Sequence, residues 1–421
     1  MMLWDYTDVQ KPIIDRKYDE ILVIAWSFGI PIVEKSIPEL RKDFNVTGVY
    51  AICGSRIPVD DEFGIPKAIF DSTLSSMSEK ALQKFRIRIT GGTSRYKELQ
   101  ERIDTDDNIE DLINQLAVFK DFDTSTESQV DWDYAFISED DKIFPLANLI
   151  RVWRGTPTEI LPNENHLPNF QSIFNRIIKD KNSISNNFQR SFGTYGSSAK
   201  VQNRLSYILV KNISQESKSF ENVLEIGSGS GTLSQLLLNE INLKRLTLID
   251  LCPISPIENV DYLCGDAECL IHQIEDNHFD LIVSGSTIQW FHSPRGFMKE
   301  LYRIVRRGGI CALSVFTKGT FSELEDMTGN SLLYLTPEQW KNMAENSGFQ
   351  IEIFRTESDT MEFNSVKDIF EHIKNTGVNS LSGNKKTVRE MRSIIDNYPT
   401  NENGKHELSY KSVILILRKS A

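Results

Sequence analysis

Apolar and polar positions alternate along this chain in blocks, and the blocks recur. A short apolar run comes first, then a turn bearing glycine, serine or an acid, then a spacing of apolar residues that suits a helix. Ile21 to Ile24, Asn45 to Gly54 and Tyr134 to Ile137 are runs of this kind in the first part of the chain. Val223 to Ile226, Leu246 to Asp250, Tyr262 to Cys264 and Phe279 to Ser284 repeat the device further on, and the turn Arg306–Gly309 leads into a fifth run ending at Val315. Runs this apolar read as strands buried on both faces, which belong to parallel sheets. Helical spacing follows Gly29, spans Thr232 to Glu240 and Phe297 to Val305, and fills most of Ser72 to Phe122. Strand and helix in alternation predict an α/β protein with parallel, doubly wound sheets. Ser412 to Leu417 supplies a last strand.

Between the two sets of strands lies Lys179-Asp-Lys-Asn-Ser-Ile-Ser-Asn-Asn187, which is polar and without a strong period. It reads as a linker over 179–187, dividing a domain over 1–178 from another over 188–421. A chain of 421 residues suits two domains. The formal charge of −12 argues against nucleic acid as the main partner. No stretch is apolar for long enough to span a bilayer. No basic region followed by an apolar run opens the chain, so no signal peptide is visible. The 5 cysteines are scattered, with no Cys-x-x-Cys pair, which suits reduced thiols in a cytoplasmic enzyme without a metal centre.

Chemistry concentrates first in Val223-Leu-Glu-Ile-Gly-Ser-Gly-Ser-Gly-Thr-Leu-Ser234. Gly227, Gly229 and Gly231 make a turn tight enough for backbone to approach a ligand, and a helix N-terminus follows. The spacing is E-x-G-x-G-x-G rather than the dinucleotide G-x-G-x-x-G. No pyrophosphate needs cradling, and the acid Glu225 suits a cationic ligand, which points to S-adenosylmethionine. A ligand-free glycine turn is the other reading of the motif. Asp250 ends the next strand about 20 residues after the glycines, where an acid accepts from ribose hydroxyls. Asp266, followed by Ala267, is placed to accept from the adenine amino group. Ser284 closes the fourth strand and leads to Gln289 and Trp290, expected beside the methyl donor on the acceptor side. The aromatic segment Phe188 to Gln202 is placed to fold over the cofactor, with Tyr195 facing its methionyl end.

The first domain has a different chemistry. Ala25-Trp-Ser-Phe-Gly29 follows a buried strand and precedes a helix, the shape of a nucleophile elbow with alanine for the first glycine. Such a turn lifts the Ser27 hydroxyl clear of the sheet and aims the Phe28 amide at an oxyanion. Trp26 and Phe28 are thus the oxyanion and substrate-side candidates. His166 is the only histidine before residue 272, and the acidic loop closed by Pro145 supplies Asp141 to orient it. The chain order Ser27, Asp141, His166 is that of α/β-hydrolases. Phe85, Leu112, Ile113, Leu116 and Phe119 lie where such folds insert a lid, and are candidates for an acyl channel or for lid packing.

Asp5-Tyr6, the elbow, Ile137-Ser-Glu-Asp-Asp-Lys-Ile-Phe-Pro145 and the late His166 resemble the pimeloyl-acyl-carrier-protein methyl ester esterases of the BioG family. The resemblance covers nearly all of residues 1 to 170. It implies an apolar front strand and a Gly-Trp-Gly loop ahead of Asp5-Tyr6, and the chain begins at Met1 after that strand, so either the start is assigned too late or the hydrolase domain is truncated. Phe192-Gly-Thr-Tyr195 with Gln202, Ser286-Thr-Ile-Gln-Trp290, Phe316-Thr-Lys-Gly-Thr-Phe321 and His372-Ile-Lys-Asn-Thr-Gly377 resemble the malonyl-acyl-carrier-protein O-methyltransferases of the BioC family. Together the resemblances imply a two-headed enzyme of biotin synthesis. The second domain would methylate malonyl carrier protein, and the first would hydrolyse the ester at the pimeloyl stage. Two alternatives stay open. One is a methyltransferase beside an inactive hydrolase-like scaffold or carrier-binding module; the other is a methyltransferase for small free carboxylic acids. A basic residue is expected to hold the acceptor carboxylate. Arg306, Arg307, Lys385, Lys386, Arg389 and Arg392 are candidates for an acidic carrier-protein surface.

Overall fold

A computed structural model describes residues 19–103, 108–122, 128, 130–253, 258–378 and 387–420. The expected Asp5-Tyr6 segment, and the question of a front strand, lie outside the described residues, as do Lys385 and Lys386. The chain divides into two compact units, Met1–Phe170 and Gln171–Ala421. The boundary therefore falls before 179–187. That polar stretch is the start of an 18-residue helix, Lys181–Ser198, capped by Asp180, whose side chain accepts from the amides of Asn182 and Ser183. Asn182 and Asn186 face outward from that helix, while Ser185 faces inward and donates to the Leu251 carbonyl, so the stretch is not a linker.

In the first unit four strands, β1 (Glu20–Trp26), β2 (Asn45–Ile52), β3 (Tyr134–Ser138) and β4 (Thr158–Leu161), lie in that order in one parallel sheet. Every residue of β3 is buried, as a central parallel strand requires. Between β2 and β3 come helices Lys67–Ser75, Glu79–Ile89, Thr93–Ile103 and Ile109–Ala117, the helical insertion the spacing predicted. Ile30, Ile37, Phe70, Phe119, Trp132 and Phe144 are central to its core.

The second unit holds β5 (Ser219–Ile226), β6 (Asn242–Asp250), β7 (Val260–Cys264), β8 (Phe279–Gly285), β9 (Val305–Phe316), β10 (Gln350–Phe363) and β11 (His406–Arg418). They form one sheet in the order β10-β11-β9-β8-β5-β6-β7. The five strands β5 to β9 are parallel, while β11 runs antiparallel between β9 and β10, so that β10 at the edge points the same way as the five. The doubly wound sheet is thus Rossmann-like, with a reversed strand beside its edge that the strand–helix alternation did not announce. The connection from β5 runs to β6 on one side, and β8 pairs with β5 on the other. The sheet reverses direction there, which is where open α/β sheets bind ligands beyond their strand ends.

Candidate active sites

Parallel strands end on the same side, so residues distant in sequence meet at one edge. In the first unit Ser27 follows β1, Asp141 follows β3 and His166 follows β4. Ser27 is held at φ +55°, a strained left-handed conformation for a residue with a side chain. Its amide donates to the Ile52 carbonyl at 3.1 Å and its carbonyl accepts from Ile30 at 3.2 Å, which fixes the elbow. Gly54 makes room for it: a Cβ there would stand 2.6 Å from the Ser27 carbonyl oxygen.

His166 Nε2 lies 2.9 Å from Ser27 Oγ, and Nδ1 lies 2.9 Å from Asp141 Oδ2. The other carboxylate oxygen of Asp141 accepts from the amides of Ile143 and Phe144 at 2.7 and 3.1 Å, so the acid is locked in place. The imidazole is 1% exposed. The Phe144 ring stacks on it at 5.8 Å, and the Trp26 indole donates to the His166 carbonyl at 2.9 Å. Trp26 thus braces the histidine. The Phe28 amide stands at the mouth of helix Gly29–Asp43, where backbone N–H groups favour negative charge. The Phe28 ring packs against Phe119 at 4.5 Å, Phe144 at 5.9 Å and Phe70 at 6.3 Å. Of the channel candidates, Phe119 and Leu116 join this aromatic core, while Phe85, Leu112 and Ile113 stay half-buried outside it. A serine paired with an oriented histidine can open an ester through an acyl intermediate.

In the second unit the carboxyl ends of β5 to β8 surround a cavity of about 980 Å³ including its mouth. Gly227, Gly229 and Gly231 have φ of +77°, +51° and +79°, open to glycine without strain. At Gly227 a Cβ would stand 2.1 Å from Thr287 Oγ1, so backbone and neighbour leave no space for one. Asp250 ties the turn down by accepting from the Gly229 amide at 2.7 Å, and its other oxygen accepts from Cys252 at 2.7 Å. Asp266 caps the short helix Ala267–Leu270 and pairs with Lys181 at 3.2 Å. Lys181 also reaches Glu268 at 2.7 Å.

The helix Lys181–Ser198 presents Lys181, Ser185, Phe188, Phe192 and Tyr195 to this cavity at helical spacing. Tyr195, Gly227, Gly229, Asp250, Asp266, Ala267 and Trp290 line it. Lys181, Ser206 and Cys252 do so without having been singled out. The i, i+4, i+7, i+11 and i+14 pattern from Lys181 was the missed signal.

Glu225, Gly231 and Ser284 do not line the cavity. Ser284 donates to the Ile226 carbonyl at 2.9 Å and holds β8 to β5 beneath it. Glu225 is fully buried and neither carboxylate oxygen has a partner. Burial pushes its carboxyl up to about 8, opposed in part by Ser234 and reinforced by the charge of Asp250. Glu225 is thus mainly protonated near neutral pH and is not an anionic contact for a cationic ligand. Successive strand residues point to opposite faces, and it is Ile226 that reaches the cavity.

A smaller cavity of about 320 Å³ adjoins the first, lined by Gln289, Phe316, Thr320, Phe321 and Tyr334, among others. Five residues line both: Phe188, Tyr195, Gln202, Ser286 and Trp290. The glycine turn, the acids at the ends of β6 and β7 and the aromatic roof fit an adenosyl group carrying an amino-acid tail. Arg306 and Arg307 lie at the opposite end of β9 from Phe316, roughly 30 Å away at about 3.3 Å per residue. They are therefore distant from the cavities, and Arg306 pairs with Glu221.

Residues 1–173 match the family Pimeloyl-ACP methyl esterase BioG, and residues 224–313 match the family Methyltransferase domain. A malonyl-[acyl-carrier protein] O-methyltransferase of Bacteroides fragilis is 29% identical over 420 residues, covering 96% of this chain and 84% of that protein. A protein of the same name from Haemophilus influenzae is 29% identical over 252 residues, covering 57% of this chain and 95% of its own length. The crystal structure of BioG from Haemophilus influenzae is 27% identical, covers 38% of this chain and 74% of that one, and superposes with a TM-score of 0.34. The likeness to the Bacteroides protein therefore extends across both units.

Proposed function

We propose, from the premise that this chain joins a BioG domain to an S-adenosylmethionine-dependent methyltransferase domain, in the arrangement of a BioG–BioC fusion, that it both installs and removes a methyl ester in biotin synthesis. The second unit methylates the free carboxylate of malonyl-acyl-carrier protein. The first hydrolyses the methyl ester of pimeloyl-acyl-carrier protein.

When bound, the cofactor supplies an electrophilic methyl group on a sulfonium. The glycine turn, Asp250 and Asp266 hold its nucleoside, and the aromatic face of Lys181–Ser198 excludes water. A malonyl carboxylate is ionised at neutral pH. One of its oxygens takes the methyl, and no proton has to move. The work left to the chain is orientation, which alone accounts for large rate gains. Gln289 and Trp290 are the acceptor-side residues.

In the first unit Ser27 Oγ attacks the ester carbonyl and passes its proton to His166 Nε2. His166 then protonates the departing methoxide, so methanol leaves. Water, deprotonated by His166, releases the acid from Ser27. Asp141 steadies the imidazolium, and the Phe28 amide stabilises the oxyanion. The observation carrying this half is the hydrogen-bonded chain Ser27–His166–Asp141, with both links at 2.9 Å.

The test is incubation of the whole chain with pimeloyl-carrier-protein methyl ester. Hydrolysis should fall by roughly 10⁴-fold or more in Ser27→Ala, while methyl transfer to malonyl carrier protein is retained. Equal hydrolysis by both proteins would remove Ser27 from the reaction. Absence of hydrolysis in the wild type would leave a methyltransferase alone.

A further inference from the structure

The adjoining cavity has a chemical oddity for a site that receives a carboxylate. Among the described residues none of its lining is a lysine, arginine or histidine. Its polar lining is neutral: Gln202, Ser286, Gln289, Thr320 and the phenols of Tyr195 and Tyr334. Burial keeps both phenols protonated, Tyr195 at about 12. Thr320 is committed to Lys411, donating to its carbonyl at 2.8 Å and accepting from its amide at 3.0 Å. Gln202 Oε1, Ser286 Oγ and Gln289 Oε1 are buried with no partner; the two amide oxygens only accept, so of these three atoms the Ser286 hydroxyl is the one able to donate to a carboxylate. Gln202 and Gln289 are only 6% and 4% exposed.

The neighbouring cavity makes matters worse for an anion. Lys181 is its cation, and two carboxylates already hold it, Glu268 at 2.7 Å and Asp266 at 3.2 Å. Asp250 also lines that cavity, and its negative charge is felt at Tyr195, which borders both spaces. An ion stripped of water and facing neutral or negative walls is not bound. The described lining therefore offers no free compensating positive charge, and a bound sulfonium would supply one.

We propose that the described lining of this acceptor cavity supplies no counter-ion, and that the substrate carboxylate binds there only against the positive charge of the bound cofactor, with the Ser286 hydroxyl as its neutral specificity-determining donor. The inference rests on the methyl-transfer reading above. Binding is then ordered, cofactor first. Methyl transfer abolishes both charges together, because the carboxylate becomes a neutral ester as the sulfonium becomes a neutral thioether. The spent pair loses its attraction, which speeds release.

Calorimetry on the full chain tests this with malonyl-pantetheine as probe. One sample is saturated with S-adenosylhomocysteine, which is neutral at sulfur. The other is saturated with sinefungin, which carries an amine cation at that place. Malonyl-pantetheine should bind at least roughly tenfold tighter beside sinefungin, about 1.4 kcal/mol. Its methyl ester, lacking the charge, should show no such preference. Equal affinity of malonyl-pantetheine in the two samples, or no binding in either, overturns the proposal. So does a tenfold loss beside sinefungin in Lys385→Ala/Lys386→Ala, since a chain lysine would then be the counter-ion. Methyl transfer from S-adenosylmethionine to malonyl carrier protein is measured alongside. If that transfer is absent, the methyl-transfer reading fails and the inference with it; if it is present with equal affinities, only the inference fails.

Discussion

Glu225 lies two residues before Gly227 of the glycine turn, yet its carboxyl is sealed beneath the cavity without a hydrogen-bond partner. Its pKa of about 8 in the folded chain stands above the value near 4.5 expected when unfolded. Between those values the folded state holds the extra proton. Stability therefore falls as pH rises from about 4.5 to about 8, and levels off above. Glu225→Gln removes that dependence. Its melting temperature should match the wild type near pH 5 and exceed it by roughly a few degrees at pH 9, read by thermal unfolding. Cofactor affinity near pH 7 should change little, because the side chain is already neutral there. A loss of affinity without a stability change would return Glu225 to the role of a charged contact. The sequence marked Glu225 correctly as special but not why, because a one-residue register decides which face a strand side chain meets. Ser27, Asp141 and His166 are singled out in the sequence by the elbow, the acidic loop before Pro145, the lone early histidine and their chain order together. Their 2.9 Å contacts follow from strand ends sharing one edge.

Elements were legible where apolar content was high and less so where polar residues made regular structure. The strands β1, β3, β5 and β8 follow their apolar runs closely. The 14-residue β10 was missed: Gln-Ile-Glu-Ile-Phe-Arg-Thr-Glu-Ser-Asp-Thr-Met-Glu-Phe carries charges throughout, since it is a strand none of whose residues is fully buried. The helix Lys181–Ser198 was read partly as linker for the same reason. Its inner face is what encloses the cofactor cavity, and Gly377 sets its position. Gly377 has φ +73°, and a Cβ there would lie 2.7 Å from Phe188 Cδ1 and 2.9 Å from Ser191 Oγ. The resemblance had marked Ile-Lys-Asn-Thr-Gly377 without a reason; contact with the helix roof supplies one. Gly377→Ala should push Phe188 into the cavity space and weaken S-adenosylhomocysteine binding by roughly tenfold or more, at a stability cost of about 1–3 kcal/mol. Calorimetry together with thermal unfolding separates the two effects. Intact affinity in a destabilised variant would show that the helix position does not govern the cavity.

At the scale of the whole molecule, the proposed activities oppose each other, because one unit makes a methyl ester and the other destroys one. A wasteful cycle is avoided only if the first unit rejects the short malonyl ester and accepts the longer pimeloyl ester. The candidate for that discrimination is the half-buried Phe28 ring beside Ser27, held in place by the buried rings of Phe119 at 4.5 Å, Phe144 and Phe70. A pimeloyl chain has four more methylenes than a malonyl chain. At about 0.8 kcal/mol for each one buried, the difference is about 3 kcal/mol, or roughly 200-fold in kcat/KM. An apolar wall discriminates by length in steps of this size and no more steeply. Methyl ester hydrolysis should therefore rise about fourfold per added methylene across a series of carrier-bound diacid monomethyl esters from malonyl to pimeloyl. Phe119→Ala should flatten that rise while leaving the hydrolysis of small activated acetate esters intact, because Phe119 packs on the Phe28 ring at 4.5 Å and is not a member of the Ser27–His166–Asp141 hydrogen-bonded chain. A series that shows no dependence on length would mean that the carrier protein, rather than the acyl chain, is what the first unit reads, and the two units would then need some other means of avoiding each other's product.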